Sequence, residues 1–130
     1  MLHRLHELAV ERKDFAFETT LASRSYAKWL KELQLEGYRF SLIFLWLRHV
    51  ELAIARVAAR VKLGGHTIPE DTVRRRFLRG RTNFFEIYLP LADAWQMYNA
   101  GTEPPTEIAR FDAVNGEIIL DPQLWTVIKK

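Results

Sequence analysis

Cysteine is absent from these 130 residues. Its absence excludes a disulfide scaffold, a thiol nucleophile and a cysteine-ligated zinc site, and it is typical of cytoplasmic proteins, where we place this chain. Long hydrophobic runs are also missing, because the longest, Phe40 to Leu47, is far short of the roughly 20 residues that cross a bilayer. The N-terminus mixes charges into a helical apolar pattern and does not resemble a signal peptide. We therefore expect no membrane partner.

A glycine-rich phosphate loop is missing as well. The sequence holds no Gly-x-x-x-x-Gly-Lys-Ser/Thr, and Arg79-Gly80-Arg81 cannot replace that motif. His66 lies between glycine and threonine, with no second histidine at ligand spacing, so we interpret it as a hinge or phosphate contact. We predict no metal site built by protein side chains alone.

Positive charge is concentrated in one stretch of the chain. The net charge is only +3, but residues 56–81 hold seven arginines and one lysine against Glu70 and Asp71. Arginine matters here because its planar guanidinium makes bidentate contacts with phosphate that an ammonium cannot make. The pattern indicates an anionic partner.

The N-terminal half alternates helical and strand patterns. We predict an amphipathic helix over 1–12, a short buried strand over 15–20 and a helix over 24–36 that Gly37 ends. A second strand over 38–47 is so apolar that it should be covered on both faces. Strand, helix and strand in this order predict that these two strands pair in parallel.

Two helices joined by a glycine break follow. The first spans residues 50–63, with Arg56 and Arg60 expected on the face opposite its apolar stripe. Gly64-Gly65-His66 interrupts it, and the second begins near Pro69 and ends by Pro90. Arg75 and Arg79 should point away from the buried stripe of this second helix.

The remaining residues predict a strand over 94–99, a hairpin around Asn115-Gly116 and a short helix that Asp121 caps. With 48% hydrophobic residues, the chain reads as one α/β domain over 1–130. We assign residues 50–89 to a lid and residues 101–130 to a C-terminal extension. The four tryptophans, at 29, 46, 95 and 125, are expected in the core.

The paired arginines predict a hinged, basic flap that closes over phosphates and neutralises charge on a transferring phosphoryl group. A solvated basic face, or a patch for nucleic acid, explains the same spacing. Periodicity alone leaves both interpretations open.

Polar side chains at predicted strand ends are further candidates, because ligands of open α/β sheets bind beyond the carboxyl ends of the strands. Glu18, Thr19 and Thr20 end the first predicted strand and could hold a substrate hydroxyl or sugar. Alternatively, Thr20 begins a loop and Glu18 pairs with an arginine. Asn99 ends the third strand, where asparagine also suits a turn.

Several segments together resemble the zeta-toxin-like small P-loop kinases, also labelled predicted ATPases. The resemblance covers about residues 1–113, and its most specific part is Gly64-Gly-His-Thr-Ile-Pro followed by the arginine cluster. The family implies an adenylate-kinase-like core that binds ATP with Mg²⁺, and the founding toxins phosphorylate the sugar of UDP-N-acetylglucosamine. The implied fold is an incomplete P-loop kinase sheet with flanking helices, an arginine-rich helical lid and a C-terminal hairpin plus short helix.

Carried over by position, the resemblance implies substrate contacts for Glu18 and Thr20 and places Asn99 near the adenine. The lid residues that it implies for the ATP phosphates are Arg56, Arg60, His66, Arg75, Arg76 and Arg79. The family's first strand, phosphate loop and catalytic aspartate would precede the first helix, and we expect this chain to lack them. That first strand would lie between the strands predicted at 15–20 and 38–47.

Two hypotheses follow from these expectations. In the first, the chain is a truncated ATP-dependent phosphotransferase for a small hydroxyl-bearing acceptor and is inactive alone. Without its central strand, the sheet must re-pair its strands, recruit a second copy or a complementing chain, or leave two edges unpaired. A longer reading frame that encodes the loop is a variant of this hypothesis. In the second, the chain is a non-catalytic module whose basic flap engages an anionic partner, with nucleic acid the less favoured one.

Overall fold

The computed structural model describes residues 7–17, 19 and 21–129. Residues 7–10 are helical, in agreement with the predicted N-terminal helix as far as it is described. Helix α1 (Ser25–Leu35) confirms the helix expected over 24–36. The Ser23 hydroxyl accepts a hydrogen bond from the backbone N–H of Ser25 at 3.1 Å, and Gly37 follows the helix at φ 100°. A positive φ of this size suits glycine, which has no Cβ to clash.

The strand predicted over 15–20 is wrong for the described residues, since neither Phe15–Phe17 nor Thr19 is in a strand. The aromatic side chains of this segment pack against α1 instead. Phe15 stacks on Trp29 at 5.8 Å between ring centroids, and Phe17 lies 5.1 Å from Tyr26. Aromatic residues favour strands because their rings pack well on a sheet. Here the rings pack against α1 instead, which does not require a strand backbone.

The central sheet has four strands, which are β1 (Ser41–Trp46), β2 (Ala94–Asn99), β3 (Thr106–Asp112) and β4 (Gly116–Ile119). They form a mixed sheet in the order β1-β2-β3-β4. β1 pairs in parallel with β2, whereas β2–β3 and β3–β4 are antiparallel. The prediction that β1 pairs in parallel with the 15–20 segment is therefore wrong for the described residues of that segment, because the parallel neighbour of β1 is β2.

The connection from β1 to β2 is helical, as predicted. Its elements are α2 (Val50–Lys62), α3 (Glu70–Asn83), π1 (Phe84–Tyr88) and the short α4 (Leu89–Leu91). Gly64, at φ 97°, breaks the connection after α2, and Pro69 precedes α3. The second predicted helix continues from α3 through the π-helical segment and ends one residue beyond Pro90.

The predicted C-terminal hairpin and helix are confirmed. Gly116, at φ 71°, starts β4, and the Asp112 carboxylate accepts hydrogen bonds from the backbone N–H groups of Val114 and Asn115. The Asp121 side chain caps α5 (Pro122–Ile128) by accepting from the N–H of Leu124 at 3.1 Å. The hairpin extends the central sheet, since β3 is an interior strand.

The core lies on one face of the sheet. Phe44 of β1 stacks on Phe84 at 4.3 Å, and Trp95 of β2 stacks on Trp125 of α5 at 5.7 Å with an interplanar angle of 10°. Met97, between them, is fully buried. All four tryptophans are buried, as predicted.

The opposite face of β1 is exposed, so the prediction that this strand is covered on both faces is wrong. Ser41, Ile43 and Leu45 alternate with the core-facing residues, and Ile43 and Leu45 are 62% and 60% exposed. β1 is an edge strand within the described part of the chain. Among the described residues, no helix is long and apolar enough to cross a membrane.

Candidate functional site

A groove of about 830 Å³ runs along the outer edge of β1. Its walls are the irregular segment formed by the described residues 15–17, 19 and 21, together with α1, β1 and the groove-facing sides of α2 and α3. The β1 wall consists of the whole strand, whose outward backbone groups face no strand among the described residues. Such an edge is open to pairing with a further strand, and β1 carries no charge or proline that would prevent it.

The α3 wall follows from helical periodicity. Val73, Arg76, Phe77, Gly80 and Arg81 line the groove, at spacings of 3, 1, 3 and 1 that define one helical face. Gly80 is buried in this stripe, so the backbone of α3 lies close to the groove wall. Arg76 and Arg81 therefore line the groove because they lie on the same helical face as the buried Val73.

Arg60 reaches the groove from α2, together with Ala53 and Val57, which lie seven and three residues before it. The prediction that Arg60 lies opposite the apolar stripe is wrong, because Arg60 and Val57 line the same wall. Four residues earlier, Arg56 donates to the backbone carbonyl of Ala100, beyond the end of β2. The two arginines thus serve different contacts.

The electrostatics of the groove are one-sided. Arg39, Arg60, Arg76 and Arg81 line it, and the described lining residues include no aspartate or glutamate. Most of the remaining wall is apolar, which strengthens the field of these charges relative to bulk water. An anion that enters the groove would meet guanidinium groups from both α2 and α3.

The other arginines of the cluster lie elsewhere. Arg74 bridges the two helices, 2.9 Å from the Glu70 carboxylate and 3.7 Å from that of Glu51. The hydrogen bond with Glu70 raises the pKa of Arg74 above its ordinary value. Arg75 and Arg79 are exposed and do not line the groove. The structure thus brings Arg60 and Arg76 together at the groove but leaves Arg75 and Arg79 outside it.

The predicted substrate residues Glu18 and Thr20 lie outside the described residues. Their neighbours Thr19 and Leu21 line the groove. The Thr19 hydroxyl accepts a hydrogen bond from the N–H of Leu21 at 3.2 Å, and Leu21 has a positive φ of 60°. A non-glycine residue in this conformation is uncommon. The buried Asn83 of α3 stabilises the turn by donating to the Leu21 carbonyl at 2.7 Å.

Asn99 and His66 do not line the groove. Asn99 ends β2 in register with Trp46 at the end of β1, and its side-chain oxygen accepts from the N–H of Gly101 at 2.9 Å. This is the turn role that asparagine commonly has. His66 is exposed between α2 and α3. In the described part of the chain, no group of three histidine, aspartate or glutamate residues could hold a metal ion.

Three groove features were not among the predicted site residues. Two of them are Arg39 and Arg81, although Arg81 falls on the apolar stripe predicted for α3. The third is Trp46, which is predicted only as a core residue and is 2% exposed, but whose indole N–H has no acceptor within the described structure. Burying such a donor costs about 1–3 kcal/mol. No sequence pattern signals an unsatisfied donor.

Comparison with known proteins gives two matches. The family model described as Zeta toxin matches residues 1–95, which include every wall of the groove. An uncharacterised protein of Haemophilus influenzae is 38% identical over 63 residues. That match spans 48% of this chain and 45% of the relative, so it covers just under half the length of each. No solved structure matches the chain significantly.

Proposed function

This chain belongs to the zeta toxin family, and on that premise we propose that it is part of an ATP-dependent phosphotransferase of the small-molecule or nucleotide-sugar kinase type. The family makes it a member of a kinase-like P-loop group, and the mixed α/β sheet with flanking helices is compatible with such a fold. The acceptor would be a small molecule that bears a hydroxyl group.

One observation carries this proposal: guanidinium groups from two helices line a single groove without a described carboxylate among them. A solvated basic face would scatter its charges over the surface or pair them with acids, as Arg74 does. Arg60, Arg76 and Arg81 instead line one apolar-walled space. Their shared chemistry is recognition of phosphate oxygens.

In the proposed reaction, these arginines hold the phosphates of ATP and offset the negative charge that spreads over the transferring group. The α2–α3 pair acts as the lid, and an exposed ion pair between Arg74 and Glu51 links the two helices. Arg56, His66, Arg75 and Arg79 stay lid predictions, since they would reach the phosphates only after the lid moves.

The fit to ATP with Mg²⁺ is partial. The arginines suit the phosphates, but no described lining residue offers a carboxylate to the metal, and the 130 residues hold no Gly-x-x-x-x-Gly-Lys-Ser/Thr. The loop supplies the backbone donors and the lysine that position the β- and γ-phosphates. We therefore propose negligible kinase activity for this chain alone.

The edge of β1 supports a complementing strand. Its outer backbone groups have no described strand partner, and Ile43 and Leu45 expose apolar surface beside it. An added strand would pair with this edge and cover both side chains. We propose that such a strand, from a complementing chain or a second copy, accompanies the missing phosphate loop.

The acceptor side of the groove is the irregular segment. Thr19 and Leu21 line the groove. Their sequence neighbours Glu18 and Thr20 are therefore proposed to contact the acceptor hydroxyl. Asn99, at the carboxyl end of β2, is proposed to lie near the adenine. We also propose that the reaction takes place in the cytoplasm.

The alternative is a non-catalytic module whose basic groove binds an anionic partner without turnover. The absence of the phosphate-loop motif from the 130 residues favours it. The two proposals differ in whether the groove selects a nucleotide.

Titration with ATP and Mg²⁺, followed by intrinsic tryptophan fluorescence, tests the proposal, because Trp46 lies in a wall of the groove. We expect saturable binding that weakens by about tenfold or more in Arg76→Ala, since one charge-assisted hydrogen bond contributes about 1.5–3 kcal/mol. The control is Lys62→Ala, which removes an exposed cation of α2 that does not line the groove and should leave affinity unchanged.

Equal losses in Lys62→Ala and Arg76→Ala would contradict the groove assignment. Absence of ATP binding would support the binding module. Transfer of labelled γ-phosphate to UDP-N-acetylglucosamine by the chain alone would overturn the proposed inactivity while supporting the reaction class.

A further inference from the structure

A second groove, of about 590 Å³, lies on a different side of α1. Its first wall carries Lys28 and Lys31 of α1 and Arg24, which directly precedes that helix, at spacings of four and three residues that place the three on one helical face. The opposite wall is π1 and α4, with Glu86 as its charged residue. None of these residues lines the groove along β1, so the two surfaces are separate.

The charges of this second groove are unbalanced. Arg24, Lys28 and Lys31 are exposed, and none of them pairs with an acid among the described residues. Three cations therefore face one carboxylate, that of Glu86. Elsewhere in the chain, Lys13 and Arg74 show that cations with an acid within reach do form ion pairs.

The floor of the second groove is apolar. Ala27 and Ile87, with Leu91, are half-buried there, and Pro90 closes the rim. A surface that binds only phosphates would not need these side chains. Apolar positions flanked by cations match a helix that carries apolar residues on one stripe and carboxylates beside it.

The walls are held in place by hydrogen bonds on both sides of the groove. Tyr88 donates to the Ser23 carbonyl at 2.6 Å, and the Gln34 side chain donates to the Leu91 carbonyl at 2.9 Å. One wall is also π-helical, a rare conformation that is frequent at functional sites. The groove is thus preformed and does not need to be assembled by its occupant.

We propose that this groove docks an acidic amphipathic helix of a protein partner. Carboxylates at positions i, i+4 and i+7 of that helix would face Arg24, Lys28 and Lys31, because two helices share the same repeat. Its apolar stripe would cover Ala27 and Ile87. This interaction is independent of the phosphate chemistry of the β1 groove.

A fluorescein-labelled, alanine-based peptide of about 20 residues serves as the probe, with glutamates at those positions and leucines between them. Fluorescence anisotropy should report binding that weakens about tenfold in Lys31→Glu at low ionic strength, where exposed charges are least screened. Lys62→Glu, on α2, makes the same change in net charge and should bind like the parent chain.

Two further peptides separate docking from simple attraction between charges. Replacing the leucines by serine should abolish binding if the apolar floor contributes. Replacing the glutamates by lysine should restore binding to the double variant Lys28→Glu/Lys31→Glu, which a merely destabilised protein would not show. Circular dichroism of each variant verifies the fold.

Three results would overturn the proposal. They are equal weakening by Lys62→Glu, undiminished binding of the serine peptide, and tighter binding of duplex DNA than of the acidic peptide at the same salt concentration. Either of the last two results would show that the surface binds polyanions in general and not an amphipathic helix.

Discussion

The two sides of the sheet differ in how completely their side chains are buried. At the β2–β4 side, Met97 and Ala109 are fully buried and Trp95 stacks on Trp125. At the β1 side, Ile43 and Leu45 are more than half exposed beside a groove of about 830 Å³. The closed side therefore contributes stability, and the open side carries the arginines and the unpaired edge.

The strongest test of this contrast compares a core ring with an exposed side chain. Phe84→Ala should lower the free energy of unfolding by about 3–5 kcal/mol, because it leaves a cavity beneath Phe44 and Trp95. Leu45→Ser should change it by less than about 0.5 kcal/mol, as at other surface sites. Urea unfolding measures both values.

A similar loss in both variants would break the contrast, because it would mean that the β1 side is covered in solution. Sedimentation of the parent chain would then tell whether a second copy covers it.

A smaller effect on stability is expected at the turn that Asn83 holds through the Leu21 carbonyl. Asn83→Ala removes the donor to the Leu21 carbonyl and should cost about 1–3 kcal/mol, since that carbonyl then lacks its partner. Limited trypsin digestion should cleave faster at Lys13 and Arg24, on either side of the segment that this bond holds. The adjacent exposed Thr82→Ala should alter neither quantity; a matching increase in cleavage would contradict the assigned role of Asn83.

The smallest effect concerns the hairpin. Hydrogen bonds from the backbone and side chain of Asn115 lower the pKa of Asp112 below its ordinary value of 3.8. A lowered folded-state pKa stabilises the fold above the unfolded value and is lost as the pH falls through the folded value. Asp112→Ala should therefore flatten the loss of thermal stability below pH 3.8.

Asp112→Asn is the control, because its amide oxygen keeps an acceptor without the ionisation. It should retain more stability at neutral pH than Asp112→Ala and show the same flattened acid dependence. An unchanged acid dependence in both variants would show that other carboxylates govern it.

Local patterns predicted most of the helices and the hairpin. Gly37, Gly64 and Gly116 all adopt the positive φ that turns require, and Asp121 caps its helix. These features depend on neighbouring residues alone, so the sequence carries them directly. The four buried tryptophans were predictable for a similar reason, since each falls on an apolar face.

The site was predicted less completely. The arginine cluster was evident, but the residues that line the groove include Arg81 and exclude Arg75 and Arg79. The helical stripe of α3 held the necessary signal, because Arg81 lies one residue beyond Gly80 on the groove face. The contact of Arg56 with the Ala100 carbonyl joins residues far apart in sequence, and no local pattern predicts it.

The sequence by itself determined the family, the helix boundaries and the excess of guanidinium groups, because these depend on residue identity and on spacing within one or two turns. Only the tertiary structure decided that β1 pairs with β2, that the segment at 15–17 packs as side chains without joining the sheet, and which arginines share a groove. Strand pairing and side-chain direction depend on the distant backbone that is available as a neighbour, and that neighbour is set by the whole fold.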